Sequence, residues 1–447
     1  MARRNQRYLI EDYLGRRARI YGGERAILVG ILPPGFAKEE RETFEELRSL
    51  AYTAGVLVVG YLIQHRRRPD PATFIGKGKA EELRDLAAAL GADTALFNDE
   101  LSADQARTLE EITGLKIVDR TQLILDIFAQ RAGTKEAELA VELAQLEYLL
   151  PRLRGWGKAL TNPGGGIGTM GPGETKMEIE RRKVKRRIQV VRQALAEADR
   201  IREVRRKRRT SAPIPQVAIV GYTNSGKSTL FRRLTGEAVL VEDRLFATLD
   251  TKVRKIALDE GKFVLVSDTV GFIRKLPHQL IPAFRATMEA AREADLLLNV
   301  LDASSPHVLE HFRAVKRILA EEVFTPDEPR PPVLHVLNKI DLVQDARQEA
   351  ILEELKLEAG CYAEISARLG WGIDELRNAM AEALKGHWVD LKALIPYEKS
   401  DLLATLGSLG KLEVLGDRDG GVLVRLVLPS TELPRLRRIP GIVLMEA

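Results

Sequence analysis

A chain of 447 residues is too long for one ordinary domain, and 45% apolar with 30% charged residues describes neither a disordered nor a fibrous protein. No apolar run approaches the ~18 residues of a membrane span, and the lone cysteine, Cys361, excludes an internal disulfide; a cytoplasmic protein without stable membrane insertion is expected. The net charge of +5 is modest, yet residues 176–209 hold 15 Lys/Arg against five Asp/Glu, a local excess that attracts polyanions through phosphate contacts.

The first predicted elements alternate. Ala26 to Leu32 reads as a buried strand, 37–53 as an amphipathic helix and Gly55 to Leu62 as a second strand. A helix over 78–90 precedes Thr94 to Phe97, and another over 103–113 precedes Lys116 to Val118. Short apolar runs separated by helix-length segments predict a parallel α/β sheet. Next, Leu139, Leu143, Leu146, Leu150 and Leu153 recur at heptad-like spacing, as do Val184, Ile188, Val191, Leu195 and Ala198. Two such stripes predict an antiparallel helical hairpin, with Pro151 kinking or ending its first helix near Leu150. The glycine-rich stretch from Asn162 to Glu174 joins them and cannot be regular structure.

After a proline-bearing linker, Ser211 to Pro215, a second βα region runs from Gln216 to about Gly386. Its strand Val217 to Val220 leads into Gly221-Tyr-Thr-Asn-Ser-Gly226-Lys227-Ser228 and a helical pattern, the complete phosphate-binding loop in its strand–loop–helix setting. Gly221, Asn224, Ser225, Gly226, Lys227, Ser228 and Thr229 are expected around the phosphates, with Lys227 reaching the β/γ oxygens and Ser228 ligating Mg²⁺. Strand Phe263 to Ser267 ends in Asp268-Thr-Val-Gly271, placing Asp268 in the Mg²⁺ shell and the Gly271 N–H near the γ-phosphate. Leu298 to Leu301 is a further strand. His335 to Leu337 ends in Asn338-Lys339-Ile340-Asp341, where Asp341 can accept two hydrogen bonds that guanine donates and adenine does not. Ala363 to Ile365 leads into Ser366, Ala367 and Arg368, whose backbone can meet guanine O6. Four weak tetrapeptides in order, each at a strand's C-terminal end, specify a GTP/GDP site.

Between Arg244 and Thr251 lies a switch-like segment in which Thr248 is the candidate second Mg²⁺ ligand and Thr251 its competitor. Lys227, Thr248 and Gly271 are the groups expected at the reacting phosphate. Phe272 follows where Ras-like enzymes carry a water-orienting glutamine, so unaided hydrolysis should be slow unless another nearby side chain serves. Beyond Trp388, a helix around 397–406, a strand from Lys411 to Leu415, a turn at 419–421 and a strand from Val422 to Leu428 complete the chain.

Together these residues closely resemble the HflX family of ribosome-associated GTPases. Outside the nucleotide site the resemblance rests on Thr53-Ala-Gly55, Phe74-Ile-Gly-Lys-Gly-Lys79, Asp119 through Phe128, Glu142-Leu-Ala-Gln145, Leu150-Pro-Arg-Leu153 and Gly164 through Thr175. It also includes Phe246-Ala-Thr-Leu-Asp250 and Asp268-Thr-Val-Gly-Phe272 as switches. The resemblance implies binding to the large ribosomal subunit, splitting or rescue of stalled ribosomes, and a glycine-rich loop reaching towards the peptidyl-transferase region. Asn224 resembles the P-loop asparagine with which some related GTPases hold K⁺. The expected architecture is a multidomain α/β protein and a monomer. Residues 1–130 form an N-terminal parallel α/β domain with a basic arm and 131–210 the helical hairpin with its Gly-rich loop. Residues 211–388 form the P-loop GTPase domain and 389–447 a small C-terminal α+β domain.

Other signals weigh less. Gly166-Ile-Gly168-Thr-Met-Gly171 matches a dinucleotide fingerprint but follows a helix, not a strand. Gly76-Lys-Gly-Lys79 opens a helix and could hold a phosphate. The rival function is therefore an NTP-dependent RNA-remodelling enzyme with an ATP site in the N-terminal domain. A tRNA-modification GTPase would want a reactive C-terminal cysteine, and none follows Cys361. His307 and His311 read as exposed helix residues, Cys361 as core packing, and Trp156, Trp371 and Trp388 as scattered.

Overall fold

The computed structural model describes residues 23–34, 39–153, 176–209, 214–237, 245–246, 251–258, 262–273, 284, 289–324, 330–399, 401–418 and 420–446. The chain forms two compact units, with the change from one to the other falling near residue 200.

The first unit opens with β1 (Arg25–Leu32), α1 (Glu39–Ala54), β2 (Leu57–His65), α2 (Lys77–Leu90), β3 (Thr94–Phe97), α3 (Ala103–Thr113), β4 (Lys116–Asp119) and α4 (Arg120–Arg131). The strands make an all-parallel sheet in the order β2-β1-β3-β4. Burial on both faces explains their continuous apolar runs. Ile27, Val29, Ala95 and Phe97 pack against Ala80, Leu83 and Ala87 of α2 and Leu109 of α3. α3 starts where expected because Ser102 accepts the Gln105 N–H while the Gln105 side chain accepts the Ser102 N–H. β2 begins later than its apolar run, because the Val56 N–H still closes the turn of α1 onto Ala51 O.

Two long helices follow, α5 (Lys135–Arg152) and α6 (Lys176–Arg209). Leu143, Leu146 and Leu153 of the first predicted stripe pack on Val184, Ile188 and Val191 of the second, with Leu149 buried beside them where the spacing predicts Leu150, which is only partly buried. Arg187 grips Glu142 through two bonds of 2.6 and 2.8 Å, and Arg192 meets Glu147 at 2.7 Å. Pro151 sits in the last turn of α5, where the helix is ending anyway. The glycine-rich loop, with the fingerprint at 166–171 and Trp156, lies outside the described residues. Leu245 and Phe246 also belong to the first unit: the Leu245 N–H donates to Thr53 Oγ1 at 3.0 Å, and the Phe246 ring meets Phe128 edge-on at 4.6 Å.

The second unit holds β5 (Gln216–Gly221), α7 (Lys227–Thr235), β6 (Lys252–Ala257), β7 (Phe263–Asp268), β8 (Leu296–Asp302), α8 (Val308–Ile318), β9 (Val333–Asn338), α9 (Ala346–Ala359), β10 (Tyr362–Glu364) and α10 (Ile373–Ala383). Its sheet runs β10-β9-β8-β5-β7-β6, parallel except for β6. Trp388 closes this core and opens the last sheet. There β11 (Trp388–Pro396), α11 (Asp401–Leu409), β12 (Lys411–Arg418), β13 (Gly421–Pro429), α12 (Leu433–Arg437) and β14 (Val443–Glu446) form an antiparallel sheet ordered β12-β13-β11-β14. This is a split βαβ arrangement, of which β11 and β14 were not expected. Among the described residues no helix is long and apolar enough to cross a membrane.

Candidate functional site

Four strand ends converge in the second unit. β5 is buried from Val217 onward and feeds a loop whose Gly226 takes φ 94° and lies so close to Asn338 that any side chain there would collide with its amide nitrogen. Asn338, 2% exposed at the end of β9, ties two loops together. Its Nδ2 donates to Ser225 O at 2.8 Å, and its Oδ1 accepts the Ala367 N–H at 3.0 Å. The P-loop and the Ser366–Ala367–Arg368 loop are thus held by one side chain. Asn224 takes φ 60° and is exposed, while Ser225 is buried and its hydroxyl has no partner among the described residues.

Lys227 is the first residue of α7 and is only 6% exposed. Its Nζ donates to Tyr222 O at 2.6 Å. Burial lowers its pKa to about 8, opposed by the Asp268 carboxylate and reinforced by Lys339. Asp268 ends β7 at 1% exposure. Gly271 passes so near Lys227 that a Cβ would sit 2.7 Å from Nζ and 2.9 Å from Thr223 Cα, which explains the absence of a side chain. Ser228 and Thr229 lie half-buried in the first turn of α7.

Phe272 has a role that its position alone did not reveal. Its N–H donates to Gly221 O at 3.0 Å and its carbonyl accepts the Thr223 N–H at 2.7 Å, so the segment after Asp268 is zipped to the P-loop. The ring is 1% exposed and belongs to the core, not to a water pocket. Thr269 strengthens the zipper by donating from Oγ1 to Ile219 O at 2.6 Å.

At the base end, Lys339 takes φ 65° and its ammonium meets Asp302 at 2.7 Å. Asp341 is half-buried in a short turn, Ile340–Leu342, that follows it. Ser366 and Ala367 are buried and Arg368 is exposed. Thr248 lies outside the described residues; its competitor Thr251 is half-buried, with a hydroxyl that has no partner among them.

Two readings from the sequence are corrected. His311 is not a bystander: its ring stacks on Tyr222 of the P-loop, 4.0 Å between centroids and 11° between planes. The pattern of an exposed helix face hid this, because the partner is distant in sequence. Cys361 is exposed rather than packed in the core, since it precedes β10, the edge strand of the sheet. Gly76 does open α2, but Lys79 there is drawn to Glu82 at 2.7 Å.

Comparison with known proteins covers almost the whole chain. Residues 41–129 match a family described as GTP-binding GTPase N-terminal, 131–209 its GTP-binding GTPase middle region, and 216–339 a 50S ribosome-binding GTPase family. A GTPase HflX of Caldanaerobacter subterraneus is 45% identical over 414 residues, 93% of either chain. The GTPase HflX of Escherichia coli is 40% identical, covering 93% of this chain and 96% of the relative. A solved GTP-binding protein from Sulfolobus solfataricus, in complex with GDP, is 25% identical over 81% of this chain and 99% of its own, with a TM-score of 0.44.

Proposed function

The chain belongs to the HflX GTPase family and is a GTP-binding GTP hydrolase, and on that premise we propose that it binds the large ribosomal subunit and spends GTP on splitting, rescuing or recycling ribosomes in the cytoplasm. The observation that carries this reading is α6, a single 34-residue helix holding 15 Lys/Arg against five Asp/Glu in the chain just ahead of the nucleotide site. Its apolar stripe is consumed by α5, so exposed residues such as Lys185 and Arg186 remain for phosphates. The domain division at 130, 210 and 388 goes with this reading, and the limits of the matching families at 129 and 209 support its first two boundaries.

Within the site, Lys227 is to neutralise phosphate oxygens and the Gly271 N–H to meet the γ-phosphate, while Asp341 and the Ser366–Arg368 loop read guanine. Ser228 and Asp268 offer the hard oxygen donors that suit Mg²⁺, and Asp268 is buried beside Lys227, as a shared phosphate–metal centre requires. Thr248 is proposed as the ligand added with GTP and Asn224 as a K⁺ contact. When bound, Mg²⁺ neutralises charge on the β and γ oxygens. With Phe272 turned into the core, that position supplies no group to orient water, which supports a turnover stimulated from outside.

GTP turnover measured with and without purified large subunits tests the proposal. A rise of at least about tenfold, weakening as salt is added, is expected. Unchanged turnover would end the ribosomal reading and leave the GTPase intact.

A further inference from the structure

We infer that Arg233, in the last turn of α7, is a positioning residue for guanine specificity: it fixes the Ala367–Arg368 peptide so that the Arg368 N–H is the donor offered to guanine O6. This rests on the reading of Ser366–Arg368 as the loop that meets the base.

Each backbone N–H of the loop needs an acceptor. Ser366 N–H donates to Trp371 O at 3.0 Å, Ala367 N–H to Asn338 Oδ1 at 3.0 Å, Leu369 N–H to Ser366 Oγ at 3.2 Å and Gly370 N–H to Ser366 O at 2.7 Å. Among the described residues, the Arg368 N–H alone in this run has no acceptor. The Ala367 N–H is already engaged by Asn338, so the donor left for a ligand is one residue further on.

Arg233 decides where that donor points. Its Nε donates to Ala367 O at 3.0 Å and its NH2 to Arg368 O. In a planar trans peptide the N–H is directed opposite to the C=O, so holding the Ala367 carbonyl aims the Arg368 N–H away from α7. A guanidinium suits this task because its planar fork serves two neighbouring carbonyls at once; an ammonium is a point charge without that fork. α7 therefore acts at both ends of the nucleotide. Lys227 in its first turn faces the phosphates and Arg233 in its last turn braces the loop at the base.

The test pairs a protein change with a ligand change. Calorimetry on the full chain compares GDP with 2-aminopurine riboside diphosphate, which lacks O6 and with it the N1–H read by Asp341, a loss common to all three proteins compared: the unaltered protein, Arg233→Lys and Arg233→Ala. The unaltered protein is expected to prefer GDP. Arg233→Ala should shrink that preference about tenfold by weakening GDP alone, with Arg233→Lys in between. The preference is a ratio within one protein, so a partly unfolded sample does not distort it. No preference in the unaltered protein would overturn the base-reading loop itself. A preference undiminished in Arg233→Ala, or equal weakening of both ligands, would overturn the role of Arg233 alone.

Discussion

Both units place buried charge at the C-terminal ends of parallel strands, but they treat it differently. In the first, Asp119 ends β4 and its carboxylate accepts four bonds: from the N–H groups of Leu101 and Gln122 at 3.0 and 2.9 Å, the Tyr148 hydroxyl at 2.8 Å and Arg152 at 2.9 Å. Beside it Arg120 is clasped by Glu46 at 2.9 Å and Asn98 at 3.2 Å. A carboxylate offers about four lone-pair sites, so Asp119 is saturated. In the second unit the buried Lys227 has three N–H donors and, among the described residues, gives one hydrogen bond, to Tyr222 O. Saturation marks a charge that holds a fold together, and open valence marks one that waits for a ligand.

Asp119→Ala is the most damaging way to probe that contrast. It strands four donors, Arg152 among them, and the structure should lose about 3 kcal/mol, read from urea denaturation. GDP affinity of the protein that remains folded should stay within about twofold. A variant of unchanged stability but weakened GDP binding would erase the distinction between the two clusters.

The open valence of Lys227 has a pH signature of smaller size. Its pKa in the free protein is lowered to about 8 by burial, and phosphates bind the ammonium, not the amine. Affinity for GDP should therefore be flat below that value and fall about tenfold by about pH 9, where the guanine N1–H is still largely in place. The loss comes as pH rises, because deprotonation removes the binding form. Affinity constant across this range would mean that Lys227 keeps its proton and that its burial costs it nothing.

What the sequence revealed of this contrast depended on how local each signal was. α3 was legible to the residue because its start is written in Ser102 and Gln105. The P-loop and the tetrapeptides at Asp268, Asn338 and Ser366 were legible because they sit at strand ends in a fixed order. α4 was passed over: buried residues on most of its faces, Leu123, Ile124, Leu125, Ile127 and Phe128 among them, leave no amphipathic stripe to detect. β6 was hidden for the opposite reason, since only Ile256 of its six residues is buried and the rest is charged or exposed edge. Asp119 opens a stretch that carries the family resemblance, but only its four bonds mark it as a charge that holds the fold. His311 and Arg233 looked like any polar residues on a helix, because the groups they touch, Tyr222 and the Ala367 carbonyl, lie 89 and 134 positions away in the chain.

His311 offers the finest test, because it touches the open cluster without belonging to it. Its ring stacks on Tyr222, and the Tyr222 carbonyl is the acceptor that steadies Lys227. An aromatic stack contributes about 0.5–1.5 kcal/mol beyond the area it buries, and only part of that can reach the lysine. His311→Ala should therefore weaken GDP binding about threefold, by calorimetry. His311→Phe, which keeps a ring over Tyr222 but no ring nitrogen, should restore it. Recovery with phenylalanine would show that the P-loop is braced by a flat surface rather than by imidazole chemistry. Equal losses in both variants would instead assign the effect to a ring nitrogen, and the brace on Tyr222 would have to be abandoned.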